Sequence, residues 1–287
     1  MALIQVGLVD KNSGIDPSLL QEAAAALNIQ VMRDVPKFWN VQATVRYLPH
    51  ARHIPIGVWP VFLVDNLPPD EGGFHLNKRN QPFAEVEASP ASDGWTVAAS
   101  HEIIEMLVDP SGNRLQSSRS IEINGTEIQD GTGQFEYLVE ACDPCEADNF
   151  AYSIQGIAVS DFITQNFYDP VTTSGARYSF TGAITAPRQI LPGGYISWVD
   201  PVTNKWQQLR YLDPAAPPVI VDLGPATSHN LREWVHTKNA KEERLQTPQR
   251  IARSPANQLL FQRCKDQRMA LRMAAEEHGN LYNHKLR

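Results

Sequence analysis

The segment Ser100-His101-Glu102-Ile103-Ile104-Glu105 holds the densest chemistry in the chain. On a helix, His101 and Glu105 lie one turn apart and face the same way. A neutral imidazole and a carboxylate at that spacing can grip one divalent metal ion. Glu102 is turned about 100° from His101, placed to take a proton from a water beside the ion. A catalytic zinc needs a third protein donor. Glu140, in FEYLVEACDPCE, is the expected one, within an acidic group that includes Glu136, Asp143 and Glu146; Asp143 is the alternative. Asp109 lies two turns beyond His101, roughly 12 Å along the axis. It joins the same ion only if the helix stops at Pro110, and otherwise it caps or orients a neighbour. His75, in GGFHLNKRNQP, is a candidate transition-state stabiliser or substrate contact. Tyr137, Tyr152 and Tyr168 are candidate oxyanion donors, with nothing to choose among them. The competing reading makes His101 and Glu105 an exposed pair that only supports its helix, beside a solvated acidic loop.

Positioning these residues requires a scaffold, and the hydrophobic pattern supplies one. Residues 2–9 read as a buried strand, and Asp16-Pro17 opens a helix that runs through LLQEAAAALNIQVMRDV. Residues 41–48 and 56–65 read as strands, 66–82 as a loop or short hairpin, and FAEVE (83–87) as a short charged edge strand. Trp95 to Val108 reads as a helix. Beyond Pro110 the pattern turns to strands, with IEINGTEI, YSIQGIAVSDFI, RYSFTGAI and GGYISWVDPVTNKWQQL marked by hairpin turns. Pro214 to Pro225 is a candidate boundary. Helix formers fill 230–246 and 256–278.

The SHEIIE string resembles the HExxH active-site helix of the zincin metallopeptidases, with Glu105 where that family has its second His. The element order over residues 1–146 is similar to a zincin N-terminal subdomain. The resemblance implies an α/β (α+β) fold with a zincin-like mixed sheet, a zinc cofactor, and a peptide or protein substrate that pairs with the edge strand FAEVE. It also implies Glu102 as general base. A carboxylate in place of the second His adds negative charge and shifts preference toward manganese or iron. SHEIIEMLVDP followed by VEACDP is also similar, over a shorter stretch, to the exordium-like phosphate-induced proteins, with Glu140 at their acidic position. The expected organisation is a metal-binding subdomain (1–146), a β-rich region packed on it (147–214) and a basic helical tail (226–287). A metallopeptidase is the expected function, and a catalytically inactive zincin-like binding or assembly protein is the alternative.

Charge supports this division. The chain has 287 residues and a formal charge of −7. Residues 226–287 carry 12 Lys/Arg against 6 Asp/Glu, a net +6, which leaves 13 against 26, a net −13, for residues 1–225. An acidic body suits a carboxylate metal site and not a duplex-binding surface, so nucleic acid is not an expected partner. The basic tail is expected to dock on the body or join subunits. No apolar run reaches the ~18 residues of a membrane span. The N-terminus lacks a signal-peptide pattern, and three cysteines make no disulfide framework. A cytoplasmic location is therefore expected.

Overall fold

The computed structural model describes residues 3–49, 52–68, 72–125, 127–213, 215–243 and 255–285, and is α+β. Its first half builds a five-stranded sheet from β1 (Ile4–Asp10), β2 (Ala43–Leu48), β3 (Val58–Val64), β4 (Gly73–Lys78) and β5 (Gln81–Glu87), in the order β2-β1-β3-β5-β4. Four strands run parallel, and β4 alone is antiparallel, paired with β5. Helix α1 (Pro17–Ile29) carries the chain from β1 to β2, opened by Asp16, whose carboxylate accepts from Ser18 N. FAEVE is therefore an interior strand. The edge is the preceding GFHLNK, which carries His75. The two strands turn at Arg79 and Asn80, both at positive φ, the geometry of a two-residue hairpin loop.

Helix α2 (Trp95–Val108) has the bounds expected from its pattern, and every residue but Ala98 is buried. A helix apolar on most sides belongs inside the molecule. Ala99, Ile103, Met106 and Leu107 pack into a core with α1 and the first sheet. Ile104 and Val108 pack into a second core with Trp39, Tyr137, Phe162 and Trp198.

That second core lies against another sheet, built from β6 (Leu115–Asn124), β7 (Glu127–Leu138), β10 (Tyr195–Asp200), β11 (Lys205–Arg210) and β12 (Val219–Gly224). Its order is β12-β11-β10-β7-β6, with every pairing antiparallel. A small ribbon of β8 (Tyr152–Ile154) and β9 (Ile157–Val159) caps the first core. This topology corrects three expectations. RYSFTGAI forms no strand; only a single bridge, Ile163 to Ser179, occurs there. The second sheet joins 115–138 to 195–224, so a division at residue 146 cuts through it. Residues 219–224, within the stretch expected to be a boundary, are its outer strand.

Two C-terminal helices follow, α3 (Leu231–Glu243) and α4 (Pro255–Lys285). Trp234 of α3 is 5% exposed and packs on Trp206 with ring centroids 5.8 Å apart. On α4, Phe261 and Cys264 pack on Val97 and Ala158. Arg268 pairs with Asp93 at 2.7 Å, and Arg272 pairs with Glu22 at 2.7 Å. Gly156, in the β8–β9 turn, lets α4 approach: a Cβ there would sit 2.7 Å from the Cys264 carbonyl oxygen. The basic tail docks on the acidic body. No helix among the described residues is long and apolar enough to cross a membrane.

Candidate metal centre

Because α2 is buried nearly all round, its polar residues must find partners inside the protein. Ser100 Oγ donates to Gln30 Oε1 at 2.7 Å and accepts from Ser160 N at 2.9 Å. This fixes the helix against the π-helical turn 30–34, which follows α1. Beyond Ser100 on the same helix, His101, Glu102 and Glu105 are 8%, 4% and 0% exposed. An exposed pair that merely supports a helix is excluded.

His101 Nε2 lies between two carboxylates, 3.3 Å from Glu105 Oε2 and 3.2 Å from Asp143 Oδ1. Donors about 2.0–2.1 Å from a tetrahedral zinc stand about 3.3 Å apart, so each separation, taken by itself, is that of two donors on one ion. Glu105 Oε1 accepts from Cys142 N at 3.0 Å, which orients the carboxylate and leaves Oε2 toward His101. Glu105 Oε2 and both Asp143 oxygens have no hydrogen-bond partner among the described residues. Buried acceptors left in that state are costly unless something charged meets them.

Asp143 arrives on the short 3-10 turn 143–145. Gly194, the residue just before β10, presses on this turn: a Cβ there would lie 2.6 Å from the Asp143 carbonyl oxygen. Half-buried Glu146 completes a His101–Asp143–Glu146 group whose donor atoms lie within 4.8 Å of one another. Three more groups meet the same limit: His101–Glu105–Cys142, His75–Glu102–Glu105 and Glu105–Glu140–Asp143.

His75 is brought in by β4 and is 3% exposed. Its Nδ1 is 3.1 Å from Glu102 Oε2 and 3.5 Å from Glu105 Oε2. Gly73, two residues earlier on the same strand, leaves room for Glu102: a Cβ there would sit 3.1 Å from Glu102 Oε1.

Glu140, the donor expected from the sequence, is buried in the same cluster, but its Oε2 faces Arg232 Nε of α3 at 2.7 Å. Asp109 stands apart. Its carboxylate accepts from Ser111 Oγ and Arg114 N, capping the end of α2. Tyr137 donates to the Arg119 carbonyl and Tyr152 to Asp34, so neither phenol serves the cluster.

The electrostatics follow from this crowding. Burial opposes a charged His101, yet Glu105, Asp143 and Glu102 outweigh it and hold the imidazole well above its ordinary pKa. Burial likewise opposes a charged Glu105, and His101, His75 and Arg232 nevertheless hold it below the carboxylate range. Asp143 and Glu140 are both pushed up, first by burial and then, against the pull of His101 and Arg232, by neighbouring carboxylates. A divalent ion would displace the His101 proton and satisfy the orphaned oxygens together. The donor types, imidazole and carboxylate, are ones that could hold such an ion.

Three contributors were not foreseen from the sequence. Arg232 and His236 sit one turn apart on α3, and the His236 ring is 5.5 Å from Phe74 of β4. The Tyr195 phenol on β10 is held high by burial and by Asp143. Arg232 and His236 repeat the i, i+4 spacing of His101 and Glu105, the one signal that could have drawn attention to them. Comparison with protein-family models, curated proteins and solved structures finds no match to this chain.

Proposed function

We propose that the chain is a metal-dependent hydrolase acting on peptide bonds, a zincin-like enzyme in which Glu105 stands for the usual second histidine. The observation that carries this reading is the arrangement of Glu105 Oε2 and Asp143 Oδ1 at 3.3 and 3.2 Å from His101 Nε2, with no hydrogen bond satisfying either oxygen among the described residues. His101, Glu105 and Asp143 would hold the ion, with zinc the leading candidate and manganese or iron the alternatives for so acidic a donor set. Such an ion supplies a polarised carbonyl and an acidified water.

The protein's own groups do the rest. Glu102 is the general base: it takes a proton from the attacking water and returns it to the leaving amine. His75 Nδ1 holds the Glu102 carboxylate in place. β4 is an outer strand, and an extended peptide can pair along such an edge by strand addition.

Elemental analysis and peptide cleavage test this together. The wild type is expected to bind one transition metal per chain and to cleave an unfolded protein substrate. Glu102→Gln is expected to keep the metal and lose cleavage, and His101→Ala to lose the metal. A wild type that takes up no divalent metal at micromolar concentration ends the hydrolase reading. A second reading, a non-catalytic binding protein with a structural ion, draws on the burial of the donors and their cover by α3. It predicts metal without cleavage in the wild type.

A further inference from the structure

We propose that Arg232 is a resident cation that occupies a second, latent cation site formed by Glu105, Glu140 and Asp143, so that the centre accepts one divalent ion and not two. The inference rests on the metal reading above and adds to it.

Four carboxylates of the cluster are at least nine-tenths buried: Glu102 at 4% exposed, Glu105 at 0%, Glu140 at 5% and Asp143 at 1%. Ionised, they carry −4, which two divalent ions would neutralise. The fold instead inserts one guanidinium, itself 5% exposed, with Nε 2.7 Å from Glu140 Oε2. The contact is one of charge, because neither atom is aligned for a hydrogen bond, and Glu140 Oε1 and both Asp143 oxygens are also without hydrogen-bond partners among the described residues. Glu105, Glu140 and Asp143 offer donor atoms within 4.8 Å of one another, so they have the spacing of a cation site with an arginine beside it. An arginine remains protonated at any physiological pH, and its charge is permanent.

The backbone shows that this insertion is built. Arg232 N donates to the Gly112 carbonyl at 2.9 Å, and Leu231 N to Asn113 Oδ1 at 2.8 Å. Gly112 adopts φ +67°, and a Cβ there would meet Arg232 Cβ at 2.9 Å and Asn230 Oδ1 at 2.8 Å. The loop that follows the metal-binding helix thus seats the first turn of α3 directly.

The test is metal stoichiometry of the full chain, measured with Zn2+ and separately with Mn2+ by equilibrium dialysis and native mass spectrometry. Arg232→Gln is expected to bind one more ion per chain than the wild type, and Arg232→Lys the same number as the wild type. Adding Glu140→Gln to Arg232→Gln is expected to remove the extra ion. Equal stoichiometry in the wild type and Arg232→Gln overturns the proposal. If Arg232→Gln folds only when Zn2+ or Mn2+ is supplied, the ion has replaced the guanidinium, as proposed; unfolding that neither ion rescues overturns it. A wild type that binds one ion but cleaves no peptide refutes the hydrolase reading alone, whereas a wild type with no metal overturns both.

Discussion

His236 gives a reading of the centre that needs no metal and no substrate. Burial first, and then the positive charge of Arg232, together lower its pKa to about 4. Unfolded, the same imidazole titrates near 6.5. The folded state therefore favours neutral His236. The stability this represents is fully present above about pH 6.5 and is lost as pH falls through about 4. Titration of the His236 ring signals by NMR is expected to show a midpoint near 4, and Arg232→Gln should move it upward. A midpoint near 6.5 in the wild type would mean that α3 does not cover the site as described. At this scale the sequence was informative where chemistry and spacing coincide, as in His101, Glu102 and Glu105. It was uninformative about Arg232, because nothing local to residue 232 says that it will meet Glu140.

Elements decide which of these residues meet. Helix α2 was legible to its ends because its apolar side chains, the stop at Pro110 and its length agree. β4 was harder: GFHLNK has little strand character, and its status comes from hydrogen bonds to β5 through a hairpin whose two turn residues lie at positive φ. The charges of FAEVE suggested an edge, but position in the sheet is set by neighbours and not by composition. The turn that holds Asp143 depends on β10 in the same way. Gly194→Ala forces a Cβ against the Asp143 and Pro144 carbonyls. It is expected to cost about 1–3 kcal/mol and to weaken metal affinity at least tenfold by moving Asp143. Ile104→Ala, on α2 but facing the second core, is the control. It should cost about 2–5 kcal/mol in denaturant unfolding while leaving metal affinity near that of the wild type. Equal loss of affinity in both variants would reduce the Gly194 effect to general destabilisation.

Over the whole molecule, the acidic body and basic tail form one structure, and the two tail helices contribute unequally. α3 supplies Trp234 to a small core with Trp206, Leu138 and Val199, and supplies Arg232 to the buried carboxylate cluster. α4 contributes Phe261 and Cys264, the Arg268–Asp93 pair and the exposed Arg272–Glu22 pair, and exposed pairs are worth about 0–1 kcal/mol. Truncation after residue 254 is therefore expected to give a folded protein that keeps its metal. Truncation after Pro225 should lower the melting temperature sharply and change metal stoichiometry. Calorimetry and metal analysis of the two truncations check this ordering. A charge split visible in composition thus marked the tail as different, but the long sequence separation hid the fact that its first turn completes the centre.

That separation also sets an order in time. Arg232 lies 86 residues after Glu146, the last of the grouped donor residues. At roughly 5–20 residues per second of synthesis, the ribosome makes every donor about 4–17 s before it makes the arginine. During that interval the nascent chain displays the carboxylates without their guanidinium. An ion captured then would already be in place when α3 arrives, so the order of translation favours loading first and closure second.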